Sequence, residues 1–455
     1  MSLPLEDPFG RWRGLISGAE TVLLHNDMGG WTRASPTLYP HQWSWDSAFI
    51  AIGLAHMDVR RAARELETLF AGQWRDGKVP HIVFNPYAPP GSYFPGPEHW
   101  ATAAESPDAP PRPTRTSGLC QPPVHAFAAR RVLEVARERN GEELGDVHRF
   151  LRSMYPKLLA WHRYLAAERD PEESGLVTIF HPWESGTDNS PRWDEPLDAV
   201  QIGEVPHYER KDLQHVEDAS ERPTDLEYDR YLWLVELVKR VRYDERAIYG
   251  SHPFLVKDVL ASSILVAANE ALLDIAEVVD APDDERDEVS TFIERGRAGL
   301  EGCWDAELGL CLDHDLRRDT PLRVRTVAGF APLVAGGLEP ERLKTLVNNL
   351  RSPDFLGYPG LRWSLPPSTS PREPRFHPRT YWRGPAWPVI NWLLWWSLER
   401  AGERDHAARL REEALDQLAS DGFAEYFEPL TGEPLGSGDQ SWTAAVALDW
   451  LARDD

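Results

Sequence analysis

Apolar residues recur through most of the chain at intervals of three and four, the spacing of one face of an α-helix. The clearest case is 255–279, where Leu265, Leu272 and Ile275 share a face with Ala268. The same pattern predicts helices along nearly the whole chain, near 9–26, 46–57, 58–74, 121–138, 144–168, 227–243, 255–279, 284–302, 325–336, 339–351, 385–401, 403–419 and 441–453.

No run alternates apolar and polar residues for long enough to predict a substantial sheet, and strand-like pieces occur only in connections. Pro385 is predicted to open one helix, which Gly402 closes. Short and long connections both occur, and the long ones are rich in Pro, Gly, Trp and Tyr, so we expect them to be ordered. Helical hairpins with long loops at one end predict an all-α (α/α)6 barrel, in a single domain over 1–455. The long connections are 75–120, 169–226, 352–384 and 420–440.

The charge balance limits the partners. A net charge of −24 argues against binding to nucleic acid or to an anionic membrane surface, since both need clustered cations. The apolar stretch from Trp387 to Leu398 is too short to span a bilayer. The three cysteines form no disulfide framework, and the N-terminal residues do not resemble a signal peptide. We therefore expect a cytoplasmic protein, and its 19 tryptophans suggest a large core or a surface that stacks on sugars.

Aromatic residues cluster in four separate loops, and in three of these loops they are interleaved with carboxylates. Their sequences are YPHQWSWDSAF at 39–49, HPWESGTDNSPRWD at 181–194, HPRTYWRGPAW at 377–387 and DGFAEYFEPLTGE at 421–433. Glycoside hydrolysis needs two carboxyl groups, one to protonate the leaving oxygen and one to activate water or attack carbon. Aromatic surroundings keep the acid protonated near neutrality by desolvating it. The loops therefore indicate carbohydrate chemistry.

These four segments resemble glycoside hydrolase family 63, and the resemblance extends from about Tyr39 to Trp450. WESGTDNSPRW resembles the general-acid segment of the family, and FAEYFEPLTGE followed by SWTAA resembles the general-base segment. The short length, with the GLCQPP and RPTDLEYDRY segments, is most similar to bacterial hydrolases of mannosylglycerate and glucosylglycerate. The resemblance implies an (α/α)6 barrel, inversion at the anomeric carbon, and neither a catalytic metal nor a cofactor.

The matching positions imply roles for individual residues. Asp188 matches the general acid and Glu425 the general base. Trp183 and Trp382 match aromatic walls of the sugar subsite, while Tyr93 is a weaker match. The remaining matches surround the sugar hydroxyls, the glycerate and the neighbouring subsite, and they are Tyr39, Trp43, Trp45, Asp46, Gln121, Arg222, Tyr228, Tyr381, Trp387 and Gln440.

Several of these residues also have a purely structural interpretation. Asp188 lies in Asp-Asn-Ser-Pro, which is good turn chemistry without catalysis. Asp46 is also explained as a first-turn charge favoured by the helix dipole. Without the resemblance, Glu428 and Glu433 would be as good candidates for the base as Glu425.

The expected substrate is an anion, so a protein carrying −24 needs a local cation to bind it. Arg222 is the candidate, since a guanidinium matches a carboxylate through two parallel hydrogen bonds. The alternative is that Arg222 merely pairs with Glu221 or Asp225 at the surface. Neutral donors are expected to complete the grip on the glycerate, and they are Gln121, Tyr228 and Tyr381.

The implied reaction is hydrolysis of 2-O-α-mannosyl-D-glycerate, and of the glucosyl analogue, to hexose and D-glycerate. Two alternatives stay open: a family 63 α-glucosidase acting on a neutral disaccharide, and a non-catalytic sugar-binding barrel. The sequence leaves undecided the preference for mannose or glucose, the oligomeric state, and whether 75–120 forms a lid.

Overall fold

The computed structural model describes residue 10, residues 12–139, residue 141, residues 143–215 and residues 218–452. Helices dominate these residues, which confirms the predicted helical class. Their bounds are α1 (Arg13–Asn26), α2 (Ser44–Met57), α3 (Val59–Phe70), α4 (Pro97–Trp100), α5 (Thr102–Glu105), α6 (His125–Glu138), α7 (Leu144–Glu168), α8 (Asp194–Asp198), α9 (Asp225–Arg240), α10 (Glu245–Ser251), α11 (Val259–Val279), α12 (Asp283–Gly302), α13 (Ala331–Ala335), α14 (Pro340–Leu350), α15 (Pro388–Arg400), α16 (Arg404–Asp421) and α17 (Ser441–Leu451).

Helices α2, α6, α11, α13, α15 and α17 form a closed cycle, in which each packs on the next and α17 packs back on α2. Helices α3, α7, α12, α16 and α1 lie outside this cycle against its members. Helix α2 is buried along almost its whole length, which explains why its sequence is apolar on every face. Helix α3 buries one face only and is correspondingly amphipathic.

Local signals set the helix ends. Thr224 caps α9 in a reciprocal pair with Glu227, so the helix begins two residues before its predicted start. The prediction that Pro385 opens a helix is wrong, because α15 has Pro388 in its first turn, where the missing N–H costs nothing. The predicted segment 325–336 is a short 3-10 helix followed by α13. Residues 9 and 11 of the first predicted helix, and residue 453 of the last, lie outside the described residues.

Strands are two residues long and lie in the connections, in agreement with the sequence. The longest sheet runs β3-β4-β7-β8, and every pairing is antiparallel. The remaining pairs are β1 with β2, β5 with β6 and β9 with β10. Their bounds are β1 (Gln42–Trp43), β2 (Ile82–Val83), β3 (Thr178–Ile179), β4 (Val256–Lys257), β5 (Trp304–Asp305), β6 (Leu310–Cys311), β7 (His314–Asp315), β8 (Thr320–Pro321), β9 (Tyr426–Phe427) and β10 (Pro434–Leu435).

Two hydrophobic cores result. One is formed by the helices of the cycle together with the helices packed outside them, and the other joins α9 to the aromatic residues of the long connections. Helix α11 alone among the described helices is long and apolar enough to cross a membrane, but it is mostly buried against α6, α7, α12 and α13. It is therefore accounted for as a core helix.

Candidate active site

A cavity of about 530 Å³, here called cavity A, opens where several helices of the cycle begin. Trp45 and Asp46 lie in the first turn of α2, Gln440 caps α17, and Gln121 shortly precedes α6. The N-terminal ends of these helices therefore meet at one end of the fold. Cavity A is lined by Tyr39, Trp43, Trp45, Asp46, His81, Tyr93, Gln121, Trp183, Gly186, Asp188, Tyr381, Trp382, Glu425, Gln440 and Trp442.

A second cavity of about 620 Å³, cavity B, shares Tyr39, Tyr93, Trp183, Asp188 and Tyr381 with cavity A. The two spaces therefore adjoin along a common wall that includes a predicted catalytic carboxyl. The other residues lining cavity B are Leu38, Ser92, Phe94, Lys211, Asp212, Arg222, Pro223, Tyr228 and Tyr231.

Asp188 lies at the junction of the two cavities, in the loop that follows β3. Burial raises the pKa of its carboxyl, Arg222 lowers it and Glu425 raises it again, with a result of about 7. A carboxylic acid in this state holds its proton near neutrality. The turn chemistry noted in the sequence is thus combined with an environment suited to proton donation.

Glu425 is 1% exposed and precedes β9. Its Oε1 accepts a hydrogen bond of 2.6 Å from the Tyr39 hydroxyl, and its Oε2 accepts one of 3.0 Å from the Ser437 backbone N–H. Burial raises the pKa of Tyr39 well above its usual value, so this phenol keeps its proton. A Cβ on Gly436 would lie 2.4 Å from Glu425 Oε2, and its φ of +72° also favours glycine.

Arg222 pairs with the predicted base and not with the surface. Its Nη2 lies 3.2 Å from Glu425 Oε2, and its Nη1 donates to the Tyr39 hydroxyl at 3.3 Å. The guanidinium also lies over the Tyr381 ring, 4.6 Å from the ring centroid. Arg222 is only 4% exposed, so the alternative of a surface ion pair with Glu221 or Asp225 is wrong.

Asp46 lines cavity A and is almost fully buried. Burial raises the pKa of its carboxyl well above the usual value, and Glu425 and Asp188 raise it further. The other carboxylates near the base face away from both cavities. Glu428 accepts the backbone N–H of Leu430, and Glu433 pairs with Arg379.

Trp382 lines cavity A, but Trp387 lines neither cavity. The Trp387 ring stacks under Trp382, with 3.7 Å between centroids and an interplanar angle of 2°. Trp387 also stacks on Tyr426, at 4.6 Å and 26°. Trp387 therefore lies beneath the aromatic wall of cavity A, and its expected contact with a ligand stays a prediction. Tyr228 lines cavity B, yet its hydroxyl already donates to the Phe94 carbonyl at 3.1 Å.

A buried ion pair anchors the loop that carries Asp188. Arg169 donates to both oxygens of Glu184 at 2.8 Å. Glu184 also accepts the backbone N–H groups of Phe180 and Cys120, which fixes the loop to the segment just before Gln121. Farther along the same loop, a Cβ on Gly186 would lie 2.7 Å from the Trp45 ring, and its φ is +70°.

Sequence reasoning missed several cavity residues, since they lie in segments with no carboxylate–aromatic pattern. His81 follows a proline in VPHIVF, and Lys211 lies in a charged connection. Lys211 could have been proposed from the sequence, because it is a basic residue shortly before Arg222, the predicted partner of the glycerate. Among the described residues, no cluster of three His, Cys, Asp or Glu side chains is arranged to hold a metal ion.

Comparison with known proteins matches the same region. Residues 39–443 fit the family described as the mannosylglycerate hydrolase MGH1-like glycoside hydrolase domain. A glucosylglycerate hydrolase of Mycolicibacterium hassiacum is 47% identical over 96% of this chain and 97% of its own length. A mannosylglycerate hydrolase of Thermus thermophilus is 42% identical over 95% of this chain and 99% of its own.

A solved structure shares the fold closely. A family 63 mannosylglycerate hydrolase from another strain of Thermus thermophilus, in complex with Tris and D-glycerate, superposes with a TM-score of 0.87 at 42% identity. The match covers 96% of this chain and 99% of that one. The similarity therefore extends over nearly the whole chain.

Proposed function

This chain belongs to the MGH1-like glycoside hydrolase family, and from that premise we propose that it hydrolyses 2-O-α-glycosyl-D-glycerates to hexose and D-glycerate. The relatives are named for the glucosyl and the mannosyl substrate, so both sugars belong to the proposal. The solved relative in complex with D-glycerate supports glycerate as the aglycone of the substrate.

The observation that carries the proposal is the contrast between the two carboxyls that line cavity A. Asp188 has a pKa of about 7 and keeps its proton, whereas Glu425 receives charged and neutral donors from Arg222, Tyr39 and Ser437. These donors fix the orientation of the Glu425 carboxyl group at the wall of cavity A. One cavity thus offers an acid and a base to the same substrate, which is what glycoside hydrolysis needs.

The reaction proceeds in one displacement. Asp188 gives its proton to the glycosidic oxygen as the bond from that oxygen to the anomeric carbon breaks, and the bonding pair leaves with the glycerate. A water on the opposite face attacks the anomeric carbon, and Glu425 takes a proton from this water. Attack opposite the leaving group inverts the configuration, so the α-glycoside yields the β-hexose. The two carboxyls carry out both proton transfers, and the proposed reaction requires no cofactor.

Cavity A is proposed to take the hexose. The rings of Trp183, Trp43 and Trp45 offer apolar faces, and Asp46 and Gln121 offer polar groups for sugar hydroxyls. Aromatic walls with a few convergent polar groups are typical of small-ligand sites.

Cavity B is proposed to take the glycerate. Arg222 and Lys211 both line it and supply positive charge in a protein of net charge −24. Lys211 pairs only with Glu209 among the ion pairs of the described residues, at 2.6 Å and near the surface. The glycerate carboxylate therefore has two cations within the cavity that adjoins Asp188.

The closed cycle of six helices supports an (α/α)6 barrel as the architecture, in a single domain over 1–455. Cys120, Cys303 and Cys311 are all free, which supports a cytoplasmic location. The oligomeric state stays open.

A neutral disaccharide is the second candidate substrate class, and the Arg222–Glu425 pair favours it. If Arg222 interacts only with Glu425, its charge is not available to a glycerate carboxylate in cavity B, and Lys211 is then the remaining cation that lines this cavity. A non-catalytic sugar-binding role does not account for the acid and base that face one cavity.

The test is a panel of three glycosides with a common linkage: 2-O-α-glucosylglycerate, 2-O-α-mannosylglycerate and neutral 2-O-α-glucosylglycerol. Released hexose is measured by a coupled enzymatic assay, and the Glu425→Gln protein serves as the control for contaminating activity. We expect hydrolysis of at least one glycerate glycoside, with a higher kcat/KM than for the glycerol glycoside. Release from the neutral compound alone would select the second candidate, and no release from any compound would overturn the proposal.

A further inference from the structure

His81 lines cavity A and has no part in the mechanism above. It lies one residue before β2 and is only 3% exposed. Its backbone is fixed on both sides, because its N–H donates to the Leu119 carbonyl at 2.8 Å and its carbonyl accepts the Ser44 N–H at 2.9 Å. The backbone that carries the His81 ring is therefore held in place in the cavity wall.

The ring continues the aromatic wall of the cavity. It lies nearly parallel to Trp183, with 6.3 Å between centroids and an angle of 29°. Trp100 packs against its edge at 5.8 Å and 70°. Packing of this kind restricts rotation of the ring, so the direction of each ring nitrogen is set.

The hydrogen bonds of the ring favour one tautomer. Nδ1 lies 2.6 Å from the Ser117 hydroxyl oxygen, and that oxygen also accepts the Ile82 backbone N–H at 3.1 Å. Donation of the Ser117 hydroxyl proton to Nδ1 gives this proton an acceptor, and this arrangement places the ring proton on Nε2.

Nε2 has no hydrogen-bond partner in the described part of the chain, and it retains access to the cavity. Burial lowers the pKa of His81 to about 3, against smaller opposing effects of Glu184 and the Leu119 carbonyl. The ring is therefore neutral under ordinary conditions and offers a single N–H donor.

We propose that His81 is a specificity-determining residue whose Nε2–H donates a hydrogen bond to one hydroxyl group of the hexose in cavity A. The inference rests on the proposed function, since it takes a hexose as the occupant of this cavity. It adds a fixed neutral donor to a site in which the carboxyl oxygens of Glu425 are acceptors. A hydroxyl that meets His81 must present its oxygen, whereas one that meets a carboxylate must present its proton.

The test combines variants of His81 with a series of substrates deoxygenated at one position each. For the wild type, we expect one deoxy position to lose about 3- to 10-fold in kcat/KM through the loss of this hydrogen bond. In His81→Ala, removal of the same hydroxyl should cost nothing further, because the partner is already gone. Losses that multiply independently at every deoxy position would overturn the proposal.

Two side-chain amides separate donation from packing. The amide nitrogen of Gln reaches the place of Nε2, and that of Asn reaches the place of Nδ1. We therefore expect His81→Gln to keep the deoxy discrimination and His81→Asn to lose it. His162→Gln is the matched control: His162 is buried, its Nδ1 bonds Asn269 at 2.7 Å, and it lines neither cavity. Equal behaviour of the Gln and Asn variants at His81 would show a packing role only.

A spectroscopic measurement tests the proposed hydrogen bond of His81 independently of enzyme activity. In protein labelled with 15N-histidine, we expect the His81 signals to report the Nε2–H tautomer, and the Nε2 proton to shift when glucose or mannose is added. An Nδ1–H tautomer would overturn the inference even if the enzyme hydrolyses its substrates. If the wild type hydrolysed none of the panel, the proposed function would fail while this measurement still tested the hydrogen bond.

Discussion

Arg222 Nη2 lies 3.2 Å from Glu425 Oε2, in an ion pair that is almost completely removed from solvent. Arg222 also lines cavity B, where the glycerate is proposed to bind, so one guanidinium adjoins both the base and the aglycone. An expectation based on the substrate alone would assign Arg222 an effect on KM only. The pair predicts an effect on kcat as well.

Arg222→Met should raise KM for glucosylglycerate by about 30-fold or more, because a buried charge partner of the carboxylate is lost. It should also lower kcat for every substrate that is turned over, including glucosylglycerol, since Glu425 loses a partner that holds its carboxyl group in place. Steady-state kinetics on the two glycosides separates the two effects.

Arg230→Met is the control for this variant, because Arg230 pairs with the exposed carboxylate of Asp198. We expect a change below about 1 kcal/mol in unfolding free energy and little change in kinetics for the control. A KM for glucosylglycerate within threefold of wild type in Arg222→Met would remove Arg222 from glycerate binding and leave Lys211 as the candidate cation.

Activity should fall as the pH rises through about 7, since Asp188 then loses the proton that it must donate. The fall of kcat/KM on the basic side is therefore assigned to Asp188. Profiles measured with a substrate whose leaving group needs no protonation should lack the basic limb. Retention of this limb with such a substrate would assign it to another group.

The same carboxyl makes stability depend on pH. Its pKa is raised from 3.8 to about 7 on folding, so its stabilising contribution is complete below about pH 4 and is lost as the pH rises through 7. Asp188→Asn removes this loss, because the amide never ionises. Thermal melts should show a higher Tm for the variant than for wild type at pH 8, and a much smaller advantage at pH 5.

The leaving group distinguishes the acid from the base. Asp188→Ala should reduce hydrolysis of glycerate glycosides by about 100- to 10,000-fold, but much less for an activated aryl glycoside that the enzyme accepts. Glu425→Ala should reduce both, because water must be activated whatever group leaves. Equal losses on both substrates in both variants would contradict the assignment.

The stereochemical outcome is a separate prediction. Proton NMR of a fresh reaction should show the β-anomer of the hexose first, before mutarotation produces the α-anomer. In a sugar-bound crystal structure, the carboxyls of Asp188 and Glu425 should be ~6.5–9.5 Å apart, which leaves room for the attacking water. A first product of α configuration, with carboxyls ~5 Å apart, would indicate a retaining enzyme.

Loss of the Glu184 charge should destabilise the fold strongly. Glu184→Gln removes one of the two buried carboxylates that pair with Arg169 and leaves only Glu245, 3.1 Å from its Nε, which costs up to about 3–5 kcal/mol in unfolding free energy. Denaturant unfolding measures this cost, and Glu195→Gln, at an exposed and weakly paired carboxylate, should change it by less than about 1 kcal/mol.

The Arg169–Glu184 ion pair should also make the stability of the fold depend on pH under acidic conditions. Burial tends to raise the pKa of Glu184, but Arg169 and the hydrogen bonds outweigh it and lower the pKa to about 2. The contribution is therefore complete above the ordinary value of 4.5 and is lost as the pH falls toward 2. The variant should lack that part of the acid sensitivity of wild type.

Helix positions were well predicted because the buried face of each helix requires apolar residues at intervals of three and four, and this spacing is visible in the sequence. Helix α11 occupies 259–279 within the predicted 255–279, and α7 agrees with its predicted bounds. The ends were less predictable, because Pro122 and Pro123 delay α6 and a later proline begins α15. These ends depend on single residues and not on periodicity.

Site residues that lie in recognisable motifs were predictable from the sequence. Contacts between segments that are distant in the sequence were less predictable. Asp188 and Glu425 face one cavity, as their segments predicted. The partner of Arg222 was not predictable, because Glu425 is 203 residues away along the chain. Nor does a motif show that Trp387 lies beneath Trp382 and not beside it.

The stack of Trp382, Trp387 and Tyr426 also bears on how sugar preference is able to change over evolutionary time. Tyr426 directly follows Glu425, the proposed base, so the stacked rings are continuous with the segment proposed to activate water. We expect a replacement of any ring in the stack to shift the other two rings and, through Tyr426, Glu425. Lineages that diverge between glucose and mannose are therefore expected to vary the opposite wall of the cavity and to inherit the stack unchanged.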